Sequence, residues 1–318
     1  MSLTYIGMDE LAYIIVNGPL AILNILANLF FAFCLICPPR GREGLKQPVK
    51  LLLGFLVFCT TLFLVSLITV ECVWLLTYSE EIQYVDMLVL FTAFTSMSTS
   101  VWLNFFYYTQ IVPAQRALFI WVKRNIKIII YWGLFVDRVF FLFDLAVSTS
   151  IVYCLKNVEG NDNITYTSTN DTVSGSTDGL YYTELVCFYS KMIYMFFCLC
   201  LMVGSSWVTV CYLRRHMKSM KESGSPFSSP RLHSQMRVTI TGILQGILYF
   251  LCALWIFISF FSINFSVVFN YTFFNTVISL YMFGTTVNLG IGQSVFRQRA
   301  ADIWLKAQQA VRSLKLCG

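Results

Sequence analysis

The chain alternates long apolar stretches with short polar ones, and most of the apolar stretches exceed the length of an ordinary soluble helix. A membrane-crossing helix needs about 20 mostly apolar residues. Residues 11–37 carry no charge, and residues 51–76 carry only Glu71 near one end. Residues 87–112 are again uncharged. Residues 128–154 contain Asp137, Arg138 and Asp144, and residues 185–213 contain only Lys191. Residues 238–296 then run 59 positions without a charge. At about 1.5 Å of rise per residue that is too long for one crossing. Asn264, Ser266 and Asn270 mark a turn inside it, which divides it into 238–262 and 270–296. The pattern predicts an all-α fold: one domain over 1–318, a bundle of seven transmembrane helices. The odd number puts the two termini on opposite sides of the membrane.

Orientation comes from the basic residues, which concentrate on the cytoplasmic side of membrane proteins. Arg40, Arg42, Lys46 and Lys50 follow the first span, and Arg116, Lys123, Arg124 and Lys127 follow the third. The expected loop 214–237 holds Arg214, Arg215, Lys218, Lys221, Arg231 and Arg237. The tail 297–318 holds Arg297, Arg299, Lys306, Arg312 and Lys315. These make 19 of the 22 Lys and Arg residues, all on one side. The other side carries acidic residues from Asp9 to Glu184 and one basic loop residue, Lys156. The expectation is an N-terminus outside, a C-terminus in the cytoplasm, and a multi-pass protein of the plasma membrane. No cleavable signal peptide is expected, because Asp9 and Glu10 replace a basic leader region.

Composition agrees. The chain is 57% hydrophobic and only 12% charged, about half the charged share of soluble domains. The net charge of +6 is explained by topology, so no nucleic-acid partner is expected. The tail reads as a short amphipathic helix, with Ile303, Ala307, Ala310, Val311 and Leu314 at helical spacing among cations. That pattern suits the inner leaflet of the lipid bilayer. The expected outer loop 155–184 holds the glycosylation sequences Asn163-Ile164-Thr165 and Asn170-Asp171-Thr172.

Catalytic chemistry is not indicated. The two histidines, His216 and His233, fall in no metal-ligand spacing, and no phosphate-binding loop or nucleophile elbow occurs. The chain is read as no enzyme, with no metal and no cofactor. Cys154 and Cys187 stand at the outer ends of spans four and five, either as a disulfide in an oxidising compartment or as two thiols. Asp137 and Arg138 are adjacent and so point to different faces of their helix, which predicts that each meets a neighbouring helix. Asp144 and Lys191 are open to two readings, an interhelical pair or part of a ligand site.

The most specific residues lie at the inner ends of spans three and five. Phe106, Tyr107, Ile111, Phe119, Trp121, Lys123 and Ile126 fall, without a gap, on the pattern of one family, as do His216 and Met220. Asn24 and Asn28 stand where that family carries a polar Asn in span one. The stretch resembles the type 2 (bitter) taste receptors, which couple to G proteins, and is similar to a divergent, fish-type member. Gln110 departs from the usual Lys, and the ligand-contact Trp of span three aligns with Ser98, with Trp102 one turn deeper. The resemblance implies a chemosensory receptor that detects small bitter compounds outside and activates a heterotrimeric G protein, with a taste-type Gα, inside. It implies Phe94, Ser98, Trp102, Tyr189, Met192, Trp255 and Asn270 as ligand-binding residues. It implies Arg116, Lys123, His216, Met220 and Arg237 as G-protein contacts. Its partners would be a small-molecule agonist, that G protein, the bilayer and, as an open alternative, a second copy of the chain. The rival readings are a pheromone-type or other orphan seven-helix receptor and, further off, a transporter or channel. Uncharged spans and the lack of two broken helices in matching halves speak against transport.

Glycosylation tests the orientation. N-glycosidase treatment of protein from secretory-competent cells should increase its gel mobility, and Asn163→Gln should remove most of that shift.

Overall fold

In the computed structural model, the described residues are 4–6, 10–37, 47–76, 82–113, 116–161, 170–222, 230–262, 267–269 and 271–317. Eight helices are found among them: α1 (Glu10–Ile36), α2 (Val49–Leu76), α3 (Ile82–Ile111), α4 (Ala117–Asn161), α5 (Asn170–Glu222), α6 (Pro230–Ser262), α7 (Tyr271–Gly292) and α8 (Ser294–Cys317). Five are long and apolar enough to cross a membrane by length and composition: α1, α2, α3, α5 and α6. The other two members of the bundle are more polar. α4 carries Asp137, Arg138 and Asp144 in its middle, and α7 is punctuated by Asn275, Ser279, Thr285 and Asn288. Both close the ring: α4 packs on α3 and α5, and α7 packs on α1 and α6. α3 is the central post and contacts α2, α4, α5 and α6.

The bundle is apolar on both its inside and its outside. Ile193, Phe196 and Trp207 of α5, like Leu26 and Leu29 of α1, are exposed on the surface. Such a surface suits hydrocarbon, where helices satisfy their own backbone groups. Inside are two apolar clusters. One includes Phe63, Phe94, Phe141, Met202, Tyr249 and Met282. The other, nearer the end that carries the basic loops, includes Leu52, Leu53, Ile130 and Phe296.

Several element boundaries differ from the sequence expectation. α4 runs to Asn161 and α5 starts at Asn170, so most of the expected outer loop 155–184 is helix. Asn170 and Asp171 are favoured residues for a helix start, where a side-chain oxygen meets free N–H groups and an acid meets the positive dipole end. At the basic end, α5 continues to Glu222 and α6 begins at Pro230, which narrows the expected loop 214–237. Proline at a first helical position gives up no hydrogen bond. α8 begins at Ser294, so Phe296 belongs to it and stacks on Phe31 of α1 with ring centroids 4.3 Å apart. The fold is also not purely helical. Strands β1 (Thr4–Ile6) and β2 (Val267–Phe269) pair in parallel, which ties the N-terminal segment to the α6–α7 connection. Three residues each are too short to show a period of two.

Small residues set the closest approaches, as in other membrane bundles. A Cβ at Gly133 of α4 would lie 2.2 Å from the Trp102 ring of α3, and one at Gly242 of α6 would lie 2.7 Å from Asn104 Oδ1. Gly133→Ala should therefore force the indole aside and cost about 1–3 kcal/mol of stability, read as a lower thermal unfolding midpoint of the detergent-purified protein.

Candidate functional site

The middle of the bundle is organised by one carboxyl group. Asp137 of α4 is only 5% exposed. Trp102 Nε1 donates to its Oδ2 at 2.7 Å, and Tyr194 OH of α5 donates to its Oδ1 at 2.7 Å. The Ser98 hydroxyl also donates to Oδ2, and its oxygen lies 3.0 Å from Tyr194 OH. Three donors from two helices thus converge on a third. Arg138 turns the other way, as adjacency on a helix requires. Its Nη2 donates to Thr99 Oγ1 at 2.7 Å and to the Thr95 carbonyl at 3.3 Å, and its guanidinium lies 5.6 Å from the Phe55 ring centre of α2. Each charge thus meets neighbouring helices as expected, Asp137 on α3 and α5 and Arg138 on α3 and α2.

Towards the end away from the basic loops, Lys191 of α5 and Asp144 of α4 pair, with Nζ 2.9 Å from both carboxylate oxygens. The ammonium also stands 5.6 Å from the ring centre of Phe94, which stacks on Phe141. Of the two readings for this couple, the interhelical pair is the arrangement found.

The expected ligand residues separate into groups. Phe94, Ser98 and Trp102 do share a face of α3, but that face meets α4 and α5. Ser98, at 2% exposure, and Trp102 are engaged with Asp137. Met192 packs against the same large apolar cluster as Phe94. Trp255 of α6 is half-buried, with its ring edge-on to Phe273 of α7 at 5.0 Å. Tyr189 is 53% exposed and faces outward from α5. Asn270 and Asn163 lie outside the described residues, as does the side chain of Asn170.

Cys154 and Cys187 are separate thiols, which corrects the disulfide alternative. Counted from the Asp144–Lys191 contact, Cys154 is ten residues along α4 (144 to 154), whereas Cys187 is four along α5 (191 to 187). Six residues of difference is about 9 Å of axial offset. A disulfide tolerates at most about 7 Å between Cα atoms.

At the opposite end, α3 and α5 finish while α4 and α6 begin, and the second group of predicted residues lies at that end. Arg116 and His216 are exposed, whereas Lys123 and Arg237 are half-buried. Lys123 Nζ donates to the Val112 carbonyl at 3.4 Å, and His216 sits beside Tyr212 at 5.9 Å between ring centres. Met220 lies in the last turns of α5, and its side chain falls outside the described residues. Of the motif residues, Tyr107 donates to Gln293 Oε1 at 2.9 Å, which links α3 to the α7–α8 junction. Asn28 Nδ2 donates to the Asn24 carbonyl at 2.8 Å within α1.

The sequence reading missed Asn275 and Ser279 of α7. Asn275 is 1% exposed, and neither its amide nitrogen nor its oxygen has a hydrogen-bond partner. Ser279 Oγ, one turn on, is also buried and unpartnered. Two polar residues four apart on an apolar helix share one face, and that spacing was visible in the sequence. No ligand-ion cluster of His, Cys, Asp and Glu occurs among the described residues.

The family model of the taste receptor proteins (TAS2R) matches residues 7–308 of the chain. No protein of curated function matches it.

The Asp144–Lys191 pair gives a direct prediction. Its side chains are 14% and 15% exposed, so water screens it little. Asp144→Asn and Lys191→Gln should each cost about 1–3 kcal/mol, and the double variant should cost clearly less than their sum in thermal unfolding.

Proposed function

The chain belongs to the taste receptor protein family, and from that membership we propose that it is a bitter receptor coupled to a heterotrimeric G protein. The match over residues 7–308, nearly the whole chain, carries this reading. The charge asymmetry supports an outer N-terminus and a cytoplasmic basic end, in the plasma membrane. A small agonist would enter from the outer end and lodge between α3, α5, α6 and α7.

In this proposal the walls are apolar and aromatic, from Phe94, Met192 and Trp255, and Asn275 supplies the orienting polar group. A buried amide without a partner is costly, so a ligand that bonds to it gains both its own interaction and the relief of that cost. Ser98 and Trp102 act indirectly, by fixing α3 against α4 through Asp137. Tyr189 faces lipid and contributes area to the outside of the bundle. Agonist would favour a state in which the basic end opens, since a ligand shifts an equilibrium only by its preference for one state. Arg116, Lys123, His216, Met220 and Arg237 would then meet the G protein, with a taste-type Gα.

α8 fits the inner leaflet. Trp304, Leu305 and Val311 are exposed, and Arg297, Arg299, Lys306, Arg312 and Lys315 recur along it. Apolar contact with acyl chains and cationic contact with headgroups suit one surface.

Cells that express the chain with a taste-type Gα should raise cytosolic calcium on exposure to at least one compound of a bitter panel. Asn275→Leu should reduce agonist potency about tenfold or more while leaving surface expression in place. Surface-expressed protein that answers to no compound, or an Asn275→Leu variant of unchanged potency, would count against the respective claims.

A further inference from the structure

We infer that the basic half of the bundle holds a small internal water cluster between α3, α6 and α7, bonded to Asn288 Oδ1. Asn288 is 6% exposed. Its Nδ2 donates to the Thr241 carbonyl at 2.9 Å and to Gln245 Oε1 at 3.0 Å. The Thr241 carbonyl can only accept, so the amide cannot turn over without setting oxygen against oxygen there. That fixes Oδ1 as the outward atom, and it has no hydrogen-bond partner.

No protein donor reaches Asn288 Oδ1, and several of its neighbours are engaged elsewhere. Gln245 Nε2 donates to Thr285 Oγ1 at 3.0 Å and to Tyr281 OH at 3.4 Å. Tyr107 OH donates to Gln293, and Asn104 Nδ2 donates to Ser206 Oγ at 3.2 Å. The amide oxygen therefore needs a donor from outside the chain.

There is room for one. A half-open pocket of about 40 Å³ is lined by Asn288, Gln245, Asn104 and Tyr107, with Leu56 and Leu103 among its apolar walls. One water needs about 10–15 Å³ of such space and two to four polar partners, so two or three waters fit. Every lining side chain is uncharged, which favours water over an ion. α6 is thus joined to α3 and α7 at this end partly through exchangeable molecules rather than through packed side chains alone. Gly242, which lets Asn104 approach α6, lines the same space.

Radiolytic hydroxyl-radical footprinting of the detergent-purified full chain tests this, because bound water generates radicals beside buried side chains. Leu56 is 2% exposed and Leu103 8%, and both line the pocket, whereas Leu52 and Leu53 of the same apolar cluster are fully buried and do not line it. Millisecond exposure should label Leu56 and Leu103 several-fold faster than Leu52 and Leu53. Leu103→Phe, which fills the space from α3, should bring labelling of Leu56 down to the control rate without touching any polar group. Equal labelling of all four leucines in the parent chain would overturn the inference. So would unchanged Leu56 labelling in Leu103→Phe, or xenon binding in the cavity, since xenon settles in dry apolar voids.

Discussion

A carboxyl group in the middle of an apolar helix must be met by donors, and meeting Asp137 fixes how three helices stand. Trp102 and Ser98 reach it from α3 and Tyr194 from α5. An ionisable group at membrane depth without partners is costly by several kcal/mol, so separating α4 from α3 or α5 is strongly opposed. Gly133 belongs to the same arrangement, because only a missing side chain leaves the indole space to lie against α4. Arg138, one residue and about 100° further round α4, bonds to α3 and lies against α2. α3 becomes the post around which the bundle is assembled.

The remaining polar contacts have different strengths at the two ends, and this suits a receptor. The Asp144–Lys191 pair and the β1–β2 ladder tie the end away from the basic loops. At the basic end, α6 meets α7 through the amides of Gln245 and Asn288, and neutral amides bond less strongly than ions. The bundle is thus held by charge where α3, α4 and α5 meet and by neutral polar bonds where α6 and α7 meet at the basic end.

Much of the fold was legible because hydropathy and charge act on long stretches. Seven apolar stretches and 19 one-sided cations leave little freedom in topology. The adjacency of Asp137 and Arg138 was enough to predict that each would meet a neighbouring helix. Partners across helices were less legible, since they depend on rotation about each axis. Ser98 and Trp102 were correctly placed on one face of α3, but whether that face meets a ligand or α4 turns on Gly133, thirty-one positions on from Trp102. Asn275 was overlooked because one Asn in a span is unremarkable until its surroundings offer it no partner. The ladder of Thr4–Ile6 with Val267–Phe269 joins segments too short to show any periodicity.

Trp102 bonds to Asp137, and in the proposal above it serves that carboxyl rather than the agonist. The most direct test of that role is the thermal stability of Trp102→Phe, measured in the parent chain and in an Asp137→Ala background. A bond from the indole N–H to the carboxyl predicts a loss of about 1–3 kcal/mol in the parent chain and little further loss in the second background. Equal losses in both backgrounds would contradict it, and would return Trp102 to the list of ligand contacts.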